Sequence, residues 1–319
     1  MNRPELERRL HSLAEQAWDD EVRWSEIEAW AENFTGQTCA TAEERIYALF
    51  ALTRFTYFGR RLVREMLRSL YRDHFQAPLM QRIRRNLGGT KDAGRIEEVY
   101  RRELKATRFV SVGNPSESSA HLLYYFRQVN YLSKKMFCDF AQAFSTNISK
   151  NGSDATISFL PRDRTVSRVV FFDDFVGSGT QIARYLGDYL PKIRSGSAGI
   201  DLRFMSLFST THGLARLNAQ PLFDGKSSAL FELDDTYKAF DANSRSLASA
   251  PEWFERSKLE ALAKHYGRAL RPSSPLGYKD GQYLLGFSHN TPNNTLPIFW
   301  DEGNKTAWNP IFIRFDKKY

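Results

Sequence analysis

Apolar residues recur at helical spacing through the first third of the chain. Leu6, Leu10 and Leu13 follow Pro4, a residue suited to a first helical turn. Thr41-Ala42-Glu43-Glu44 reads as a capping box that opens a long helix. Its buried side would hold Ile46, Leu49, Phe50, Leu52, Phe55 and Phe58. The continuation places Arg60, Arg64, Arg68 and Arg72 four residues apart, on one face. Gly88-Gly89-Thr90 interrupts the pattern, and a short helix follows to about Lys105. Residues 1–105 are therefore expected to form a helical N-terminal domain.

Beyond residue 105 the pattern changes. Short apolar runs at Arg108–Val112, Thr156–Leu160, Val169–Phe172, Leu202–Phe208 and Ala229–Leu233 read as strands. Helical patterns lie between them, at Ala120–Lys135, after Thr180 and after His212-Gly213, and a last one spans Pro251–Leu270. Strands alternating with helices predict an α/β domain over residues 106–319, with a parallel sheet flanked by helices. The Ser-rich tracts at 145–158, 194–198 and 244–250 read as connecting loops.

Composition narrows the class. No run of about 18 apolar residues is present, so no membrane span is expected. The first residues lack a signal-peptide pattern. Cys39 and Cys138 have no CxxC spacing and read as reduced thiols of a cytoplasmic protein. The six histidines show no zinc-ligand spacing. The net charge of +8 is unevenly spread: residues 1–50 hold 5 Lys/Arg against 11 Asp/Glu, residues 51–110 hold 15 against 6. The Arg60/Arg64/Arg68/Arg72 face is thus expected either to pair with nearby acids or to contact the phosphates of a nucleic acid or nucleotide.

The chemistry concentrates in Val169–Gln181. Four apolar residues run into Asp173 and Asp174; Phe175 and Val176 follow, and then Gly177-Ser178-Gly179-Thr180-Gln181. That order is a buried strand, an acidic strand end, a tight turn and a helix start. Glycines let backbone amides approach an anion closely, and open α/β sheets place ligands at the carboxyl ends of their strands. Neighbouring strand residues point to opposite faces, so the two acids need not share one role. The plainer alternative is an acidic pair that caps the next helix.

This segment resembles the signature of type I phosphoribosyltransferases: a hydrophobic strand, two acids, two apolar residues and a small loop. The resemblance implies that Asp173 and Asp174 hold the ribose hydroxyls of phosphoribosyl pyrophosphate (PRPP). It implies that Gly177, Ser178, Gly179, Thr180 and Gln181 cradle the 5′-phosphate. Magnesium is implied as the cofactor, bridging pyrophosphate near Asp173 and Asp174. The small loop after an earlier strand, Gly113 to Ser119, stands where that family contacts pyrophosphate, with Gly113, Ser116, Ser118 and Ser119 as candidate contacts; an ordinary helix entry is the alternative.

His289–Trp300 packs amides between prolines: Asn290-Thr291-Pro292-Asn293-Asn294-Thr295-Leu296-Pro297. Such residues build rigid turns, and Asn290, Asn293 and Asn294 are also candidates for reading a nucleobase edge. The pattern resembles that of the phosphoribosyltransferase-like proteins of bacterial conflict loci. It implies a setting in anti-phage defence and a partner protein from such a locus.

Two departures from the parent signature matter. Catalytic relatives carry an acid at the first loop position, where this chain has Gly177, so no general acid or base comes from there. The 113–119 loop has no Lys or Arg and carries Glu117. Basic help would come from Lys279, Arg184 or the N-terminal arginines. Two readings follow: an enzyme acting at the anomeric carbon, with catalytic residues unassigned, or a nucleotide-sensing module that regulates a partner protein or nucleic acid.

Overall fold

The computed structural model describes residues 3–113, 118–151, 154–219, 221–303 and 307–315. The chain begins with α1 (Arg3–Gln16), α2 (Trp24–Glu32), α3 (Thr41–Thr53), β1 (Thr56–Phe58), α4 (Arg60–Tyr71), α5 (Ala77–Asn86) and α6 (Ala93–Lys105). Then come β2 (Thr107–Ser111), α7 (Ser118–Val129), β3 (Phe137–Cys138), α8 (Phe140–Ala143), β4 (Phe144–Asn151), β5 (Asp154–Pro161) and β6 (Arg168–Val176). It finishes with α9 (Thr180–Leu186), α10 (Tyr189–Gly196), β7 (Asp201–Thr210), α11 (Thr211–Asn218), β8 (Ser227–Leu233), α12 (Arg256–Leu270) and β9 (Leu285–Phe287).

These elements make two compact units, one of Met1–Val63 with Asp234–Tyr319 and one of Arg64–Leu233. The chain therefore divides elsewhere than at residue 105. The physical reason is where the helical stripe around residues 64–105 finds its apolar partner. Phe75, in a π-helical turn over Arg72–Gln76, packs on Phe109 of β2, and Tyr71 meets Phe126 of α7 edge-on. Those helices complete the sheet domain rather than a helical one.

In the Arg64–Leu233 unit five parallel strands lie in the order β3-β2-β6-β7-β8. The expected α/β parallel sheet is borne out. Both faces are covered, which explains the unbroken apolar run of β6. Val169 and Phe171 pack with Phe204, Ile182, Leu186, Leu190 and Ile193 on one face. Phe172, on the other, meets Phe126 of α7. β4 and β5 form an antiparallel hairpin paired from Phe144–Pro161 to Asn151–Asp154. The expected strand Thr156–Leu160 lies within β5, while β4 falls almost wholly in the Ser-rich tract expected as loop. Its polar composition hid a ribbon held by backbone pairing and by cross-strand contacts such as Asn147 Nδ2 to Ser158 Oγ at 3.3 Å.

In the other unit the core is aromatic: Trp18, Trp30, Phe34, Phe50, Phe299 and Phe312 are all but inaccessible. β1 pairs in parallel with β9. The long helix expected from Thr41 through the arginines is broken here, because Phe55 leaves the helix to stack on Phe312 at 4.1 Å. Gly59 permits the turn into α4: a Cβ there would lie 2.3 Å from Asp19 Oδ2. The expected capping box is also replaced. Ala40 occupies the cap position, and the buried Glu44 accepts from the amides of Gly36 and Thr38, from Thr38 Oγ1 and from Tyr266 Oη. Cys39 and Cys138 are free thiols, one in each unit. Among the described residues no helix is long and apolar enough to cross a membrane.

Candidate functional site

The strand order fixes where a ligand crevice forms in the sheet unit. From β2 the chain steps outward to β3, then crosses back to β6 and runs the other way through β7 and β8. The direction of winding reverses between β2 and β6, and doubly wound sheets bind ligands at the carboxyl ends flanking such a reversal. The two loops singled out in the sequence follow these two strands.

β6 outruns its neighbour at that point. Its pairing with β2 ends at Ser111–Phe172, while pairing with β7 continues to Val176–Ser209. The acid pair lies just past the last β2 partner. There the Asp174 amide donates to Asp173 Oδ1 at 2.9 Å, and the Phe175 amide donates to Asp174 Oδ1 at 2.8 Å. Asp173 is half-buried, and Asp174 is only 9% exposed. A buried carboxylate at a strand end is costly unless polar groups meet it, and it makes a strong acceptor for hydroxyl donors.

The turn that follows is built from its smallest residues. Gly179 takes φ +66° as it enters α9, a conformation that favours glycine. Ser178 Oγ and Thr180 Oγ1 lie 2.9 Å apart, so two hydroxyls converge over the turn. The connection after β7 braces it from behind. Thr210 Oγ1 donates to the Gly177 carbonyl at 2.7 Å and accepts from the Gly213 amide at 2.8 Å. Gly213 must be glycine, since a Cβ would stand 2.1 Å from Gly177 O. Arg216, one turn further along α11, donates from Nη1 to Thr180 Oγ1 at 2.9 Å. Gln181 is exposed at the start of α9.

Thr210, Gly213 and Arg216 were not singled out by the sequence reading. The cation at the loop comes from none of Lys279, Arg184 and the N-terminal arginines, but from the helix after β7. The only signal was the repeated pattern of strand, hydroxyl, glycine and helix. Ser206 was missed as well: it is the register partner of Asp173, fully buried, and its hydroxyl has no hydrogen-bond partner among the described residues.

The second loop is only partly described. Gly113 takes φ +96° just past β2, and Ser116 lies outside the described residues. Ser119 is buried and donates to the Val112 carbonyl at 2.8 Å, so its hydroxyl proton braces the loop. Ser118 is half-buried at the first position of α7.

The C-terminal amides serve their own unit. Asn294 Nδ2 donates to the Tyr278 carbonyl at 2.9 Å, and Asn290 Oδ1 accepts from the amides of Thr291 and Phe315. The Asn293 side chain is exposed while its carbonyl takes the Tyr278 amide. The surrounding motif is core: Trp30 and Trp308 both donate their indole N–H to Ile298 O, at 2.7 and 3.0 Å. The motif builds a turn over the core of this unit, with Asn294 buried in it and the Asn293 side chain exposed on it.

The arginine face divides by environment. Arg60 pairs with Glu21 at 3.1 Å, Arg72 with Asp73 at 2.7 Å, and Arg68 with Glu65. Arg64 stacks on the Tyr125 ring, 5.0 Å from its centre. Pairing with acids, one of the two expectations, accounts for three of the four.

Among the described residues no three His, Cys, Asp or Glu side chains gather as a metal cluster. The donor set at the site is the acid pair. Magnesium typically takes one or two carboxylates and completes its shell with substrate oxygens and water, so these residues fit it as a ligand-borne ion.

Solved structures with some likeness include the xanthine-guanine-hypoxanthine phosphoribosyltransferase of Helicobacter pylori. It is 13% identical, with 56% of this chain and 86% of that one covered, at a TM-score of 0.26. The orotate phosphoribosyltransferase of Aeropyrum pernix is 14% identical, with 44% and 77% covered and a TM-score of 0.24. The adenine phosphoribosyltransferase of Thermoanaerobacter pseudethanolicus is 14% identical, with 45% and 83% covered and a TM-score of 0.22. No curated protein matches the sequence. The PRTase-CE family model matches residues 27–314, nearly the whole chain and both of its units, and the chain belongs to this phosphoribosyltransferase-like family.

Proposed function

We propose that the sheet unit binds a ribose 5-phosphate compound, PRPP foremost, at the carboxyl end of β6. The observation that carries this reading is the order of groups on one strand end. The half-buried Asp173 and the buried Asp174 lie at the winding reversal, and next to them is a hydroxyl-lined glycine turn braced by Thr210 and Arg216. In this reading Asp173 and Asp174 accept from the ribose hydroxyls. The amides and hydroxyls of Gly177–Gln181 donate to the 5′-phosphate. Gly113, Ser116 and Ser118 are the candidate pyrophosphate contacts, and Ser119 braces the end of β2 through the Val112 carbonyl. Magnesium, held by the ligand and the acid pair, would supply positive charge to the departing pyrophosphate.

The chemistry such a site supports is displacement at the anomeric carbon. The bond from C1 to pyrophosphate oxygen breaks, and its electron pair leaves with pyrophosphate. A lone pair of the acceptor, a base nitrogen or water, forms the new bond to C1 and sheds its proton to solvent. Fixed donors around the phosphates stabilise that charge separation. Gly177 contributes no side-chain acid, and this favours a second reading in which the ligand is sensed without turnover and a partner protein is regulated. The proposed setting, bacterial anti-phage defence, rests on the resemblance of the Asn290–Trp300 motif.

The test is incubation with PRPP and magnesium, with pyrophosphate release and calorimetric binding followed together. Release that is lost in Asp173→Asn and Asp174→Asn supports the enzyme. Saturable binding without release supports the sensor. If wild type neither binds nor turns over PRPP or ribose 5-phosphate, the ribose-site reading is wrong.

A further inference from the structure

The sheet unit carries the positive charge of the protein. Arg64–Leu233 holds 25 Lys/Arg against 16 Asp/Glu, whereas the other unit holds 20 against 21. Within the sheet unit, the stretch from Ser118 to Cys138 holds no Asp or Glu. That stretch is α7 and the turn after it.

The outer face of α7 is aromatic as well as basic. His121, Tyr124 and Gln128 are exposed at helical spacing, and Tyr131 continues the stripe just past the helix end. Tyr124 is 53% exposed and Tyr131 is 92% exposed. Guanidinium groups flank the rings. Arg127 lies over Tyr124, 5.6 Å from the ring centre, and Arg64 of α4 lies over Tyr125 at 5.0 Å. Lys134 and Lys135 are exposed immediately beyond.

Tyr131 is the most telling of these residues. The Leu132 amide donates to Arg127 O and the Tyr131 amide to Gln128 O, the hydrogen bonds of a helix terminus closed by a left-handed residue. Glycine normally fills that position. Here it is a tyrosine at φ +53°, and its ring gains almost no burial in return. A strained backbone that presents a bare ring to solvent is not explained by stability.

We infer that the outer face of α7 binds single-stranded nucleic acid. Bases stack on Tyr124 and Tyr131 while Arg64, Arg127 and the two lysines neutralise the phosphates. Single strands suit this surface because every base offers a π-face, and a convex helix bearing exposed rings can take unpaired bases, whereas paired bases present only their edges. An acidic peptide would use the cations and leave the rings idle.

The experiment uses the full chain and fluorescence anisotropy with labelled oligo-dT and oligo-U of about 20 nucleotides, at several salt concentrations. Wild type is expected to bind both, more weakly as salt rises. The double variant Tyr124→Ala/Tyr131→Ala should lose about tenfold or more, while Tyr124→Phe/Tyr131→Phe stays within about twofold, since phenylalanine keeps the stacking face. Arg64→Gln/Arg127→Gln should flatten the salt dependence. Three outcomes overturn the inference: no binding at low salt, full binding by the double alanine variant, or equal binding of a duplex or a polyglutamate of matching length. None of these variants touches the ribose-phosphate site, so failure here leaves the PRPP reading standing.

Discussion

Arg216 Nη1 donates to Thr180 Oγ1 at 2.9 Å, placing a cation from the β7 crossover on the turn that follows β6. The turn itself contains no Lys or Arg, and neither does the 113–119 loop. If a phosphate sits over Gly177–Gln181, Arg216 is the charge that meets it. Arg216→Ala is expected to weaken ribose 5-phosphate binding by about tenfold, the scale of one charge-assisted hydrogen bond. Arg216→Lys should recover part of the loss, because it keeps the charge and loses the fork. Calorimetric titration checks both, and an unchanged affinity in Arg216→Ala would remove the residue from the site.

The close approach of Gly213 to Gly177 gives a sharper geometric test. A Cβ at position 213 would lie 2.1 Å from the Gly177 carbonyl, and that neighbour is backbone. Gly213→Ala must therefore displace the turn or distort α11. We expect a loss of about 1–3 kcal/mol in stability, the usual cost of overpacking, together with weakened ribose 5-phosphate binding. Gly225→Ala is the matched control, since it also replaces a glycine but meets no atom within 4 Å. Its φ of +76° should cost stability without touching ligand affinity.

What the sequence revealed follows the range of the forces involved. The β6 segment was legible because its pattern is local: an apolar run, acids, a small turn and a helix, all within 18 residues of Val169. The parallel sheet was legible from alternation. The brace at Thr210, Gly213 and Arg216 was not, because it depends on which strand lies beside β6. Phe55 was read as helical because its spacing fits, but stacking on Phe312, over 250 positions away, overrode the periodicity. The Glu44 pattern looked like a cap, and the carboxylate was instead claimed by Tyr266 across the fold. β4 was missed because serine-rich strands and serine-rich loops share a composition, whereas the apolar end of β5, Thr156–Leu160, was read as a strand.

Glu44 makes a pH test of the other unit. Burial alone would raise its carboxyl. The hydrogen bonds from Tyr266, Thr38 and Gly36 outweigh that and hold it below the ordinary carboxylate range. A folded-state value below the unfolded one means stabilisation that is complete above the unfolded value and lost as pH falls through the folded one. The urea midpoint of wild type should therefore fall as pH drops below the ordinary carboxylate range. Glu44→Gln is expected to cost about 2–3 kcal/mol at neutral pH, since its amide turns donors toward donors. The gap between wild type and Glu44→Gln should narrow in acid. A gap that stays constant would mean the carboxylate contributes packing and no charge.

Arg168 separates stability from binding within the sheet unit. It opens β6, five residues before Asp173, or about 17 Å along the strand. Its side chain is 4% exposed and donates to Glu103 Oε2 at 2.7 Å, Asp201 Oδ2 at 2.9 Å and Thr107 Oγ1 at 3.3 Å. Burial would raise the Asp201 carboxyl, but Arg203 and Arg168 outweigh it and hold it well below the usual range. Arg168→Met removes the most buried cation of this network and its hydrogen bonds, while Arg82 stays on Glu103 and Asp201, and Arg203 and Lys226 stay on Asp201. The expected cost is about 1–3 kcal/mol, the scale of lost buried hydrogen bonds, read as a lower urea midpoint. Arg168→Lys should recover part of that, because it keeps a cation between Glu103 and Asp201 while losing the guanidinium fork. Ribose 5-phosphate affinity, measured well below the unfolding transition, should match wild type in both variants. Lost affinity at full folding would show that the network sets the geometry of the acid pair from the opposite end of the strand.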